Sequence, residues 1–265
     1  MLALKGTDGS TTHINHGTNA VFDAAQGTII AWVKLASVTN TDFRHFCKYA
    51  QTDGSSVIAF FVTSNNIRMQ IQRATTNQFV DIPAASLTTA WAYWAFTWDI
   101  TNGGPKSYVG SLTSLAADVT ASASDGTGAK SSVATPVMRV GANHVPGNSL
   151  AFNIANFFFY TRDLSLAEIQ DQQFDTFPTA PGCALAAQYG ADGTRYQIDK
   201  SGRGNHGLNS GMTLIYDPVL ELEDEDSPVI LRDYWFNSAA AGRTTKNTRG
   251  FPLGVNVGMG WRMAA

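Results

Sequence analysis

Charge is what this chain has little of. Charged residues make up 15% of its 265 positions, where a soluble domain usually carries about a quarter. Their balance of −3 leaves no basic excess to displace counterions from a nucleic-acid backbone, so nucleic acid is not an expected partner. Cysteine is scarcer still. Cys47 and Cys183 are too few for a disulfide framework, and no CxxC or Cys/His cluster offers a zinc site, so both read as separate buried thiols. No apolar run approaches the roughly 20 residues that span a bilayer. The opening residues, MLALKGTDGS, lack the basic start and apolar core of an export signal, so synthesis in the cytoplasm without secretion is the expectation.

What is abundant is apolar, aromatic and small polar. Hydrophobic residues are 44% and aromatics 11%, enough for a real core, and the remainder is dominated by Thr, Ser, Asn, Gly and Ala. Short strand-like segments recur between turns. They are 28–35 (TIIAWVKL), 57–63 (VIAFFVT), 67–73 (IRMQIQR), 78–82, 91–99 (WAYWAFTWD), 106–109 and 137–140. In 67–73, Ile67, Met69 and Ile71 alternate with Arg68, Gln70 and Gln72, the period of a half-buried strand. Asn65 and Asn66 predict a hairpin turn, and so does the run from Asn102 to Pro105. Residues 116–135, rich in Ala, Ser, Thr and Gly, read as a long surface loop. Pro178 and Pro181 mark a change of organisation near residue 180.

Residues 151–170 (AFNIANFFFYTRDLSLAEIQ) are the densest signal. The first half is an apolar aromatic run without helical spacing, a buried strand. Arg162 and Asp163 turn the chain, and Ser165 with Glu168 three residues on is a capping box that opens a short helix.

Taken in order, these pieces resemble the laminin-G-like, pentraxin-like jelly roll within the concanavalin A-like lectin/glucanase superfamily. The matching parts are the TIIAWV strand, Trp91 with AFTWD, Tyr108-Val109-Gly110, Val140-Gly141, and the closing strand with its RDLSLAEI helix. The resemblance implies an all-β fold: a concanavalin A-like jelly-roll β-sandwich over residues 1–176, with an irregular C-terminal extension. A further segment, Asp199-x-Ser201-Gly202-x-Gly204-Asn205-x-Gly207, matches one that commonly precedes such a domain, yet here it follows. Residues 177–228 are therefore either a permuted edge that pairs back onto the sandwich or a partial second repeat, ending in an acidic linker. Residues 229–265 form an extended arm.

Relatives of this kind suggest three chemistries. Calcium would use loop oxygens, with Asp99, Asn102, Asn143, Asn148 and Asn153 as donors, although Asn and Asp are also ordinary turn formers. No cofactor or metal site is assigned. Sugar binding would need an exposed aromatic beside Asn or Asp, with Tyr49, Phe79 and Tyr93 as conceivable platforms. Glycoside hydrolysis would need two carboxylates on one strand face, about 5 Å apart for retention. Only Glu221, Glu223 and Glu225 have that spacing, and they sit between Pro218 and Pro228 in what reads as a solvated acidic linker.

No catalytic residue is assigned. Four histidines, His13, His16, His144 and His206, fall in turn-like stretches. The fifth, His45, stands two residues from Cys47, a pair that packs as readily as it reacts. The run from Gly202 to Gly207 lacks the Lys-Ser/Thr of a phosphate loop. The resulting expectation is a non-enzymatic structural or binding protein of a large assembly. A bacteriophage virion fits best, as capsid decoration or a tail or fibre component exposing a lectin-like domain. Its partners would be other virion subunits, met through the arm at 229–265, which carries Arg232, Arg243, Lys246, Arg249 and Arg262 among Tyr234, Trp235, Phe236, Phe251 and Trp261. Glycans and a homo-oligomeric state are also expected. The alternative is a carbohydrate-binding module for cell-surface or extracellular glycan, and the third reading a glycoside hydrolase.

Overall fold

The computed structural model describes residues 2–7, 11–39, 45–50, 56–63, 65–132, 137–142, 150–191, 193 and 195–216. In chain order its strands are β1 (Leu2–Lys5), β2 (His13–Asn15), β3 (Gln26–Leu35), β4 (His45–Ala50), β5 (Ser56–Thr63), β6 (Asn66–Ile71), β7 (Gln78–Ile82), β8 (Trp91–Asp99) and β9 (Lys106–Ser111). Then follow β10 (Ala117–Asp118), β11 (Ser122–Ser124), β12 (Val137–Val140), β13 (Phe152–Tyr160), β14 (Cys183–Gln188), β15 (Tyr196–Gln197), β16 (Gly207–Ser210) and β17 (Thr213–Tyr216). One helix, α1 (Leu166–Gln172), follows β13. The described strands form two antiparallel sheets. The eight-stranded sheet runs β10-β9-β8-β3-β13-β1-β17, with β14 also on β13, and the nine-stranded sheet runs β11-β7-β6-β5-β4-β12-β2-β16-β15.

Two apolar layers explain why the aromatic runs show no alternation. Every residue of β8 is buried, because both faces of the eight-stranded sheet are covered. Trp94, Phe96 and Trp98 point into the core between the sheets, where Met69, Val80, Met138 and Val140 meet them. Trp91, Tyr93 and Ala95 point outward with Trp32, Phe158 and Tyr160, under Leu164 and Ile169. The helix is placed by its cap. The Ser165 hydroxyl accepts from the Glu168 amide, and the Glu168 carboxylate accepts from the Ser165 amide, both halves of the capping box. Arg162 holds the same carboxylate through two nitrogens at 3.2 and 2.6 Å, which together with Ser165 draws its pKa down to about 2. Three further bonds seat the helix on the sheet. Tyr93 donates to the Ile169 carbonyl at 2.8 Å, Trp32 to the Gln173 carbonyl at 2.6 Å, and Tyr160 to Gln172.

The organising strand is β13. One edge pairs with β3 from Phe152 to Tyr160. The other edge is shared: Ile154 and Asn153 face Leu4 and Lys5 of β1, while Asn156 to Tyr160 face Gln188 to Cys183 of β14. Strands β16 and β17 then lie against β2 and β1, one in each sheet. Residues 183–216 thus pair onto both sheets of the same chain. The compact unit is Met1–Glu221, and the second, Leu222–Ala265, lies outside the described residues.

Part of the stretch expected as a surface loop at 116–135 is edge structure. β10 pairs β9, β11 pairs β7, and bridges join Arg73 to Lys130 and Thr76 to Thr127. These strands show no apolar pattern because they bury almost nothing. At the β5–β6 hairpin, Asn65 sits at φ 67°, the left-handed geometry that an Asn tolerates at a tight turn.

Candidate functional site

The segment Asp199 to Gly207 is a structural clasp. Asp199 is buried, and its carboxylate accepts from the amides of Ala186 (3.0 Å), Ser201 (2.9 Å) and Asn205 (2.9 Å) and from the Ser201 hydroxyl (2.9 Å). Asn205 donates to the Ala184 carbonyl at 2.7 Å and accepts from Asn19 at 2.7 Å. Its own carbonyl meets His16 Nδ1 at 2.9 Å, and His16 Nε2 meets the Tyr189 hydroxyl at 2.7 Å. A carbonyl can only accept, so Nδ1 carries the hydrogen and Nε2 accepts from Tyr189. Burial pushes the His16 pKa down to about 4, against the opposing pull of the Asn205 carbonyl and Asp199. Gly202 and Gly204 adopt φ 79° and 76°. A side chain on Gly207 would meet Ile14 at 2.6 Å and His16 at 2.7 Å. Every signature residue of this motif is spent on tying β14 and β16 into the sheets.

Most residues singled out from the sequence are likewise spent. Asp99 accepts from the Thr101 and Asn102 amides at 2.7 and 2.9 Å and from the Asn102 side chain at 2.7 Å. Burial raises its pKa, but these bonds outweigh that and leave it below the ordinary range. The two expected calcium donors thus hold a turn, and Asn143 and Asn148 lie outside the described residues. Asn153 stands between Lys5 and Lys34 on adjacent strands, where two ammonium groups repel a cation. Among the described residues no group of three His, Cys, Asp or Glu is gathered to hold a metal ion.

Tyr93 is no sugar platform, being wholly buried beneath α1. Phe79 already carries the Arg68 guanidinium 3.9 Å above its ring, and Asp81 holds that guanidinium at 2.7 and 2.8 Å. The side chain of Tyr49 and the acidic block with Glu221, Glu223 and Glu225 lie outside the described residues, as does His144. The Cys47 thiol is fully buried and bonds Met138 Sδ at 3.4 Å. Burial raises its pKa, so no thiolate forms beside His45.

One arrangement was not visible in the sequence. On the outer face of the nine-stranded sheet, direct cross-strand partners form an unbroken row: Ser124, Phe79, Gln70, Ala59, Lys48, Arg139, Asn15, Leu208 and Tyr196. It spans about 38 Å at roughly 4.8 Å per strand. At its centre Lys48 and Arg139 are direct neighbours, a like-charge placement that costs stability. Burial draws the Lys48 pKa down to about 8 and lowers that of Arg139. A desolvated cationic pair makes this sheet face a candidate site. The Gln70 amide, one strand beyond Ala59, has no hydrogen-bond partner among the described residues. At the far end Tyr196 is 52% exposed, with the His206 ring 5.8 Å away. Tyr196 is an exposed aromatic of the kind a sugar platform needs, as are Phe177 and Tyr216 away from this row. Its only local signal was a place just before the Asp199 turn.

The superfamily profile of the concanavalin A-like lectins and glucanases matches residues 8–170. The chain belongs to the concanavalin A-like lectin/glucanases superfamily. Among curated proteins no sequence matches it. Its fold is similar to that of a candidate carbohydrate binding protein from Bacteroides ovatus, at 15% identity and a TM-score of 0.54. That match covers 81% of this chain, which spans 59% of the length of the Bacteroides protein. The heptameric SAP-like pentraxin of Limulus polyphemus matches at 10% identity and a TM-score of 0.50, over 80% of this chain and 94% of the pentraxin. At these identities the likeness is one of fold. The superfamily holds both binding modules and hydrolases, so the activity has to be argued from the site.

Proposed function

We propose that this chain is a non-catalytic carbohydrate-binding module that holds an extended glycan across the outer face of its nine-stranded sheet. The observation that carries this reading is the in-register row from Phe79 to Tyr196. Glycans present hydroxyl oxygens along their edges and apolar C–H faces on their rings. Gln70 supplies a donor and an acceptor and the Asn15 amide a donor for the first, while Lys48 and Arg139 lend the face a positive field. The exposed ring of Tyr196 offers an apolar platform with a polar tip for the second. The carbohydrate-binding name of the Bacteroides neighbour is in keeping with this reading.

A glycan array followed by titration calorimetry tests it. Tyr196→Ala and Gln70→Ala are each expected to weaken a saturable glycan about tenfold, the loss of one good contact. Binding unchanged in both variants would remove the face from consideration.

Placement of the module on a bacteriophage virion is a proposal on sequence grounds, from the aromatic and basic composition of residues 229–265. Light scattering on a chain ending at residue 228 tests it. Loss of an oligomer formed by the full chain supports the assembly role, and an unchanged state contradicts it.

A further inference from the structure

The helix covers only part of the outer face of the eight-stranded sheet. It lies over Trp32, Tyr93 and Tyr160. Two residues beyond Trp32 and Ala3, the same face carries Lys34 on β3 and Lys5 on β1, with Asn153 of β13 directly between them. These three, with Thr89, Gly6 and Phe152, line a cleft of about 310 Å³, at the small end of the range for small-molecule sites and sufficient for a single sugar ring. None of the residues lining it is acidic.

The two lysines stand two strands apart, about 10 Å between their Cα atoms, one on each side of Asn153. The side chains of Lys5, Asn153 and Thr89 have no hydrogen-bond partner among the described residues. An amide, a hydroxyl and an ammonium therefore converge unspent on one cavity, with a second ammonium beside it. The charge selects an anion, and the neutral hydrogen-bonding groups select oxygens around it.

We propose that this cleft binds the carboxylate or sulfate group of an acidic saccharide unit. The saccharide in this statement rests on the glycan reading above, whereas the anion rests on the cleft alone. Lys5 would meet the anion, and Asn153 and Thr89 would meet neighbouring hydroxyls. The site is separate from the row across the nine-stranded sheet, because it belongs to the outer face of the other sheet.

Titration of the full chain with glucuronate, galactose 6-sulfate, glucose and inorganic sulfate tests the proposal. One or both acidic sugars should bind at least about tenfold more tightly than glucose. Their binding should weaken with added salt and be displaced by excess sulfate. Lys5→Met, at an exposed position that does not threaten the fold, should weaken the acidic sugar about tenfold. Asn153→Asp places a carboxylate where the ligand's would sit. It should abolish the binding and raise the melting temperature, since the new charge stands beside the ammonium of Lys5. Equal affinity for glucose, no binding of either acidic sugar, or binding indifferent to both variants would overturn the proposal. Tyr196→Ala and Gln70→Ala separate it from the module's main reading. Their loss of extended-glycan binding with glucuronate binding intact leaves both sites standing, whereas failure of the cleft variants alone removes only the cleft.

Discussion

His16 shows how a single buried ring sets the acid limit of this fold. Its two nitrogens are committed to the Asn205 carbonyl and the Tyr189 hydroxyl, and burial holds its pKa near 4 against an ordinary value of 6.5. The unfolded chain takes up a proton as pH falls through 6.5 that the folded ring refuses, so stability is full above 6.5 and declines toward pH 4. The loss by pH 4 is about 3 kcal/mol, and His13, shifted the same way by burial, adds to it. Urea unfolding at pH 7.5 and pH 4 measures this, and a His16→Gln chain should show a flatter profile. Asp199 is the second such residue. Its removal in Asp199→Ala orphans three amides and a hydroxyl, at a cost of about 3 kcal/mol or more, read from the same unfolding curves. The composition of the Asp199 motif was plain in the sequence, but its partners, Ala184, Ala186, His16 and Asn19, were not. Nor could Tyr93 be told from Tyr196 there. One ring is hidden because α1 folds back over it, and the other is exposed because it ends a sheet.

At the scale of elements, legibility followed the range of the cause. The capping box of α1, the β6 alternation and the aromatic strands β3, β8 and β13 are set by residues a few positions apart, and their limits could be read to within about two residues. β1, β2 and β15 to β17 are short and weakly patterned, and their identity comes from partners far along the chain. β1 becomes a strand because β13 and β17 flank it. Conversely, the place of β14 was not legible, since nothing local says that β13 needs a second neighbour. A chain ended after residue 182 should therefore fail to fold, because β13, β1 and β2 each lose a pairing edge. A chain ended after Glu221 should melt cooperatively. Near-ultraviolet circular dichroism and thermal melts distinguish the two, and a native-like melt for the shorter chain would contradict the cis completion of the sandwich.

Over the whole molecule the sparse charge is unevenly spent. The net balance is −3, yet cations gather at the centre of one sheet's outer face and beside Asn153 on the other's. Neither grouping was legible in the sequence. Lys48 and Arg139 are 91 positions apart, and Lys5, Lys34 and Asn153 come from three strands that only the register aligns. The fold class was legible from a few ordered motifs, while the surface chemistry that decides function needed the topology. If the row on the nine-stranded sheet is the binding face, one substitution at its cationic centre should silence it without disturbing the sandwich. The direct measurement is calorimetric titration of Lys48→Met and the parent chain with the best ligand from a glycan array. Loss of at least about tenfold in affinity, with the fold intact by circular dichroism, is the predicted result. An unchanged affinity in a folded Lys48→Met chain, or the absence of any saturable glycan, would contradict the assignment.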